Sequence, residues 1–570
     1  MEKIAIAPND DNGNSKASLL STAVKVPISI KMQCIESINK KVSESRIGKF
    51  FELDARKSTF TTEIKAGSAT FLTMAYILAI NPRILADSGG SCVAPDGNIF
   101  APEYEACLEE LRRQYVTSTA IGSFVGCAAM GVLANLPIAL APGMGMNAYF
   151  TYNVVGWRGT GGVAFDAALT AIMIEGAIFF LLAVTGIRFA IAKCIPEPIK
   201  LATAPAIGAF LAHLGFQTAE GLGIVVSDIA TAVTLGGCAE EFRTPIVAYD
   251  DACANEGACV TSDAYTCDVL GGRMLSPTTY LGLVGMMMMA IMLAYKKNSG
   301  IIVGILFVTI ISWFRNTAVT FFPDNDVGDA RFDYFSNVVA LEPINKLWVK
   351  FSGDLGNIWT ALITFFLIDF LDTTGTMLAV VSPLGISDEN GDFPKSRQAF
   401  AVDAIATMIG SLFGLSPITS YIESAAGVEA GGKTGLTAIV CAFYFFISIF
   451  FAPILSSIPA WATGGALVIV GALMCRTLPL IQWNKIDHAL SAFVTIMLMP
   501  LTYSIAYGLI GGFAVYLSFN VVFILLNLVG IGHPTRDAGE EEDEAVTEEP
   551  AKVIDSDEDP ANSVEVEESA

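Results

Sequence analysis

Asp369, Asp372 and Glu423 are carboxylic acids set inside long apolar stretches. Residues 364–376 read Thr-Phe-Phe-Leu-Ile-Asp-Phe-Leu-Asp-Thr-Thr-Gly-Thr. On a helix, Asp369 and Asp372 (i,i+3) and Asp369 and Thr373 (i,i+4) share one face. Glu175, in Ile-Met-Ile-Glu-Gly-Ala, and Asp403 are further acids in apolar surroundings. An acid at the centre of a bilayer costs about 2.5–3.5 kcal/mol on insertion scales, so each calls for a functional or a pairing explanation. A carboxyl shielded from water favours its protonated form, which fits it to carry protons. Function is the reading for Asp369 and Glu423. Glu175 and Asp403 have no interrupted segment beside them, and a structural hydrogen-bonded acid is the simpler reading there.

Two segments break the pattern of a plain apolar helix. One is Asn135-Leu-Pro-Ile-Ala-Leu-Ala-Pro-Gly-Met-Gly-Met-Asn-Ala-Tyr149; the other is Gly414-Leu-Ser-Pro-Ile-Thr-Ser-Tyr-Ile-Glu-Ser-Ala-Ala-Gly427. Paired interruptions at corresponding places in two halves of a membrane protein point to a substrate site. Unwound backbone is tolerated at membrane depth only where it lines a cavity or is buried in protein. The half-helix that follows each break aims free N–H groups and a positive dipole end at whatever sits there. The bland alternative is a pair of proline kinks with packing roles.

The elements that must position these groups follow from composition. Of 570 residues, 53% are hydrophobic and 16% charged, with a mean hydropathy of +0.56; soluble domains are typically about 25% charged. The apolar residues gather in stretches near the roughly 20 residues a spanning helix needs. Fourteen spans are expected, at about 66–86, 115–135, 137–155, 164–186, 198–216, 278–295, 299–314, 357–377, 400–414, 417–430, 434–457, 460–475, 488–505 and 507–529. The two interrupted segments are the third span of each set of seven. Residues 1–60 read as a polar cytoplasmic segment, 61–533 as the membrane domain and 534–570 as an acidic, disordered tail. From Arg536 onward the chain has 15 acids and two bases, a large part of the net charge of −23. No basic patch suits nucleic acid. Starting inside, the alternating loops place Arg188, Lys193, Lys296, Lys297, Lys395, Arg397, Lys433, Arg476 and Lys485 on the cytoplasmic side, as the positive-inside rule requires.

Cys92, Cys107, Cys238, Cys253, Cys259 and Cys267 all fall in outside loops. That even set suggests disulfides facing an oxidising compartment, with a metal site or coincidence as the alternatives and the pairing undetermined. Gly427-Val-Glu-Ala-Gly-Gly-Lys-Thr434 fits the letters of a phosphate-binding loop, but that motif needs a strand before it and a soluble α/β sheet around it. Apolar spans flank it instead. His213 and the run Met286–Met289 read as core residues. No nucleophile or metal constellation suggests an enzyme.

Four motifs in order, Ser58 to Tyr76, Ala141-Pro-Gly-Met-Gly-Met-Asn147, Asp369-Phe-Leu-Asp-Thr-Thr-Gly375 and Glu423-Ser-Ala-Ala-Gly-Val, resemble the AzgA-type purine permeases from about Arg56 to Gly530. That resemblance implies an all-α polytopic fold of fourteen helices in two inverted repeats of seven. Spans 1–4 and 8–11 would form a core and spans 5–7 and 12–14 a gate, with short extended strands in spans 3 and 10. It further implies transport of adenine, guanine and hypoxanthine by proton symport and an elevator movement, in a homodimer, with no cofactor and no metal. The plasma membrane is the expected location, with an organellar envelope as the alternative. The family's essential polar residues map onto Asn147, Asp369 and Glu423, and less directly Asp372. Asp369, Glu423 and Asp372 would couple protons. Asp369, Thr373 and Glu423 would bind the purine edge, Asn147 would organise both half-helices, and amides near Gly145 and Ser424 would meet ring nitrogens or O6. Phe71 would stack on the base. Met146 departs from the small residue common in that family. The alternatives are a same-fold carrier of xanthine or urate, uracil or cytokinin, and, further off, an anion exchanger or a transceptor.

Overall fold

The computed structural model describes residues 28–529, apart from 96–98, 100, 189–190, 192–194, 218–220, 229–231, 237–242, 248–260, 268–273, 298, 349–350, 352–355, 357 and 387–392. The acidic tail, Lys193, Cys194, Cys238, Cys253 and Cys259 therefore lie outside the described residues.

An N-terminal helix α1 (Ile28–Glu44) and a short α2 (Arg46–Phe50) lead into α3 (Phe60–Met74), which Thr59 caps by accepting the Thr62 N–H. The chain bends at Ala75–Tyr76 into α4 (Ile77–Ala86). Pro102 opens α5 (Pro102–Ala129), whose 28 residues span about 42 Å, more than a hydrocarbon core of about 30 Å. Its first turns, bearing Glu105 and Glu109, therefore project past the apolar part. After α5 come a π-helical turn (130–134), strand β1 (Leu140–Pro142) and α6 (Met144–Ala148), which runs into a second π-helical turn (149–154). Then follow α7 (Phe165–Thr185), stopped by Gly186 at φ +77°, and α8 (Glu197–Phe216).

Strands β2 (Val225–Asp228), β3 (Ala232–Leu235), β4 (Arg243–Val247) and β5 (Thr261–Cys267) pair as two antiparallel ladders, β2 with β3 and β4 with β5. The chain is predominantly helical, and these ladders lie outside the two broken segments where strands were expected. This long connection is too polar to cross a bilayer, and strand pairing satisfies its backbone. The second half comprises α9 (Pro277–Ala294), α10 (Gly300–Ser312), α11 (Asp326–Ser336), α12 (Trp359–Val381), α13 (Ser396–Leu412), β6 (Ile418–Ser420), α14 (Ser424–Glu429), α15 (Gly435–Ser448), α16 (Ala452–Ser456), α17 (Ala460–Met474), α18 (Ile486–Leu501) and α19 (Ile505–Leu528).

Eight segments among the described residues are long and apolar enough to cross a membrane: 60–86, 103–134, 165–185, 197–216, 277–294, 359–384, 460–480 and 505–528. Three shorter apolar helices are α10, α15 and α18. This is an integral membrane protein. The helices pack in two sets. One packs α12 and α13 on α7 and α15 on α3 and α5; the other packs α17 and α18 on α8, with α9 on α17 and α19 on α18. Between α8 and α17 the backbones nearly touch. A Cβ on Gly208 would lie 2.5 Å from the Gly471 carbonyl oxygen, and one on Gly215 would lie 2.6 Å from that of Gly464. Small residues at such crossings are what let apolar helices associate in lipid, where no hydrophobic force drives them together. On α19, by contrast, Leu517, Val521, Ile524, Leu525 and Leu528 are exposed.

At one end, Glu109 pairs with Arg112 (2.7 Å) and Arg331 (3.3 Å), Glu110 with Lys346 (2.5 Å), and Glu105 with Arg158 (2.6 Å). Cys92 and Cys107 are disulfide-bonded, with Cα atoms 6.0 Å apart. At the other end the buried Glu63 accepts from Ser58 Oγ, Thr437 Oγ1 and the N–H groups of Lys433 and Thr434. Lys433 is thus in a turn between α14 and α15, fastened by its backbone to α3. The phosphate-loop look-alike is helix end and turn.

Candidate functional site

Pro137, Pro142 and Pro417 supply no backbone N–H and bar a continuous helix, so the carbonyls and amides around them need other partners. Each broken segment supplies them to the other. β1 and β6 pair antiparallel, Leu140 opposite Ser420, Ala141 opposite Thr419 and Pro142 opposite Ile418. The ladder is extended by Gly143 N–H to the Pro417 carbonyl (3.0 Å) and by Tyr421 N–H to the Ala139 carbonyl (3.0 Å). Side chains fasten it further. Ser424 Oγ accepts from the Ala139 N–H (3.0 Å), Tyr421 OH donates to the Pro142 carbonyl (2.5 Å), and Thr407 Oγ1 donates to the Ile418 carbonyl (2.8 Å). Asn147 and Ser416 are fully buried, and the Ser416 hydroxyl donates to Asn147 Oδ1. This clasp sets the starts of α6 and α14 next to one another.

Around the clasp α12 presents two adjacent faces. On the inner face Asp369 and Thr373 are fully buried. Thr373 Oγ1 lies 3.0 Å from Asp369 Oδ1, 3.1 Å from Asp403 Oδ2 on α13 and 2.6 Å from Thr419 Oγ1 on β6. A hydroxyl has one proton, so it can donate to only one of these at a time. Glu175 of α7, also fully buried, lies against Asp369. On the other face the half-buried Asp372 has Thr376 as its partner and looks toward Glu423. Glu423 stands at the start of α14, its Oε1 accepting a 2.6 Å hydrogen bond from the buried Tyr76 hydroxyl.

Of the residues expected at the site, Asn147, Asp369, Asp372, Thr373 and Glu423 surround the clasp. Ser424 belongs to it: its hydroxyl is taken by Ala139, and its own N–H donates to the Tyr421 carbonyl (3.1 Å). Gly145 is in the first turn of α6, where amides have no intrahelical acceptor, and a Cβ there would meet Ile207 of α8 and Ile505 of α19 at 3.0 Å. Phe71 of α3 lies among aromatic rings. It stacks on Tyr444 of α15 (5.0 Å between centroids, 23°) with Phe445 edge-on.

Sequence reasoning missed three neighbours of Asp369 that lie behind the site. Glu175 and Asp403, read as hydrogen-bonded structural acids, both approach the Asp369 carboxyl. Arg188, read as an inside-loop marker, is buried with 2% exposure. The packing of α12 and α13 on α7 makes both changes, and nothing in the local sequence announces it.

A family profile described as Permease family, of the xanthine/uracil permease type, matches residues 260–511. The chain is 42% identical over 521 residues to a protein of Aspergillus versicolor named efflux pump notK', covering 88% of this chain and 87% of that one. It is 40% identical over 513 residues to a Schizosaccharomyces pombe protein designated a xanthine/uracil permease (87% and 79%). A guanine/hypoxanthine permease of Bacillus subtilis, PbuO, is 32% identical over 476 residues, covering 82% of this chain and 93% of that protein.

Proposed function

This chain belongs to the nucleobase permease family, and we propose that as such it carries purine nucleobases across a membrane. The observation that carries the reading is the clasp, which brings the two broken spans together with Asp369 and Thr373 on one side and Tyr76–Glu423 on the other. A purine edge offers ring N–H donors and ring-nitrogen acceptors in a plane. Carboxylates accept from the former, and first-turn amides of α6, at Gly145 and Met146, would donate to the latter. Asn147 holds the start of α6 against Ser416 while its amide nitrogen, which has no partner among the described residues, stays available to the ligand. The name of the Bacillus subtilis relative supports guanine and hypoxanthine as cargo, and the resemblance to the AzgA-type purine permeases adds adenine.

The remainder of the reading is of the same standing. Fourteen spans in two inverted repeats would follow if α10, α13, α15, α18 and the two broken segments cross together with the eight long segments. The separate packing of α8, α9, α17, α18 and α19 supports a gate moving against a core, as an elevator does. Protons would accompany the purine through Asp369, Glu423 or Asp372. The exposed apolar side of α19 suits lipid or a second copy in a homodimer. Both termini would be cytoplasmic, in the plasma membrane.

Asp369→Ala and Glu423→Ala are expected to reach the membrane and lose radiolabelled adenine uptake. Uptake like that of the unmodified protein in both would sink the assignment. Because one relative is named an efflux pump, preloaded vesicles should be assayed for outward movement as well. A competition panel of unlabelled bases, with and without a proton uncoupler, would rank adenine, guanine and hypoxanthine against xanthine and uracil.

A further inference from the structure

Glu175 and Asp403 have no part in the purine contacts above, yet with Asp369 they form the most deeply buried group of acids among the described residues, each at 0% exposure. The carboxyls of Glu175 and Asp369 lie within hydrogen-bond reach of each other, and Oδ1 of Asp403 has no hydrogen-bond partner among the described residues.

A second and independent observation points into the same cluster. Arg188, just beyond α7, is 2% exposed, and its guanidinium lies 3.3 Å from the ring centre of Phe400, with Phe179 at 4.6 Å and Phe370 at 5.1 Å. Aromatic faces hold a cation without neutralising it. Its Nη2 donates to Thr374 Oγ1 (2.6 Å), while Nε and Nη1 have no hydrogen-bond partner among the described residues, and its charge faces Asp403 and Asp369. Two other charged groups approach. Asp372, on the adjacent face of α12, neighbours Asp369 and Asp403, and the Arg397 guanidinium of α13 lies against Gly186 at the end of α7.

Three ionised carboxylates facing one guanidinium would leave two negative charges uncompensated in an apolar interior. Buried acids in that position take up protons rather than remain charged. The cluster also has a way to report its state. Thr373 touches Asp369, Asp403 and Thr419, so protonating either acid changes which oxygen the Thr373 hydroxyl can serve, and Thr419 is the middle residue of β6.

We propose that Glu175, Asp369 and Asp403, gathered beside Arg188, form a proton-holding site distinct from the Tyr76–Glu423 pair, and that its occupancy is passed to the clasp through Thr373 and Thr419. The holding of protons stands on the geometry alone; its coupling to cargo rests on the purine-transport reading.

Two measurements on the full-length protein, with Glu175→Gln and Asp403→Asn made separately, separate these parts. The first needs no cargo. In infrared difference spectra across a pH titration, the protonated-carboxyl band of the unmodified protein is expected to shrink in each variant that folds; an unchanged band in both overturns the site. The second uses vesicles with an imposed inward proton gradient. One coupled proton supports about a tenfold accumulation per pH unit. Both variants are expected to lose that tenfold while equilibrium binding of labelled hypoxanthine stays at the unmodified level. Gradient-driven accumulation at the unmodified level in both overturns the coupling. If the unmodified protein itself neither binds nor moves a purine, the transport reading fails instead, and the infrared result decides the proton site.

Discussion

Tyr76 and Glu423 illustrate how a single hydrogen bond can orient a binding group. Glu423 is held at the start of α14 by one strong contact, the 2.6 Å bond from the buried Tyr76 hydroxyl. Hydrogen bonds to a charged group contribute about 1.5–3 kcal/mol. Tyr76→Phe keeps the ring and its packing but frees the carboxyl to turn away from the ligand. The expected outcome is a KM for purine uptake raised about tenfold or more with unchanged protein in the membrane; an unchanged KM would detach Tyr76 from the site. Legibility at this scale was uneven. Asp369 and Glu423 stood out because an acid in an apolar run is costly wherever it lies. Tyr76 carries no such mark, since its partner is 347 positions away. Arg188 read as a loop marker for a related reason: a basic residue just past a helix end is usually solvated, and only the three rings of α7, α12 and α13 bury it.

Among the elements, the broken spans were legible and their assembly only partly so. Pro137, Pro142 and Pro417 announced that a helix could not continue, and buried backbone without partners is not tolerated. That the strands would pair with each other came from family resemblance; their register could not be read from either segment. The ladders of the connection between α8 and α9 were missed, because that polar stretch lacks the strong alternation that marks half-buried strands. The crossing of α8 and α17 depends on the glycine pairs 208/471 and 215/464, which sequence offered only as single glycines in apolar runs. A Cβ on Gly471 would lie 2.3 Å from the Gly208 carbonyl oxygen, and backbone must shift to admit it. Gly471→Ala is accordingly expected to cost about 1–3 kcal/mol and to lower the melting temperature of the purified protein. An unchanged melting temperature would mean that this crossing is slack.

Taken as a whole, the molecule fastens one of its ends covalently as well as electrostatically. The Cys92–Cys107 bond closes a segment with a sequence separation of 15, a length for which chain-entropy models give about 3 kcal/mol. Cys92→Ser is expected to lower thermal stability by up to that amount, and a reductant should do the same to the unmodified protein but nothing more to the variant. If reductant destabilises both equally, the loss arises elsewhere. In the connection after α10, Arg331 and Lys346 are paired with Glu109 and Glu110, and Arg315 with Asp329, so a simple count of its basic residues is a poor guide to sidedness. The clasp, finally, imposes an order in time on biosynthesis. Tyr421 bonds to the carbonyl of Pro142 across 279 positions, and a ribosome adds about 5–20 residues per second. The first broken span must therefore wait, with its backbone polar groups unanswered, for roughly 15–55 s until its counterpart emerges. Throughout that interval the nascent chain is exposed to cellular quality control, and a chain that stops short of β6 never leaves it.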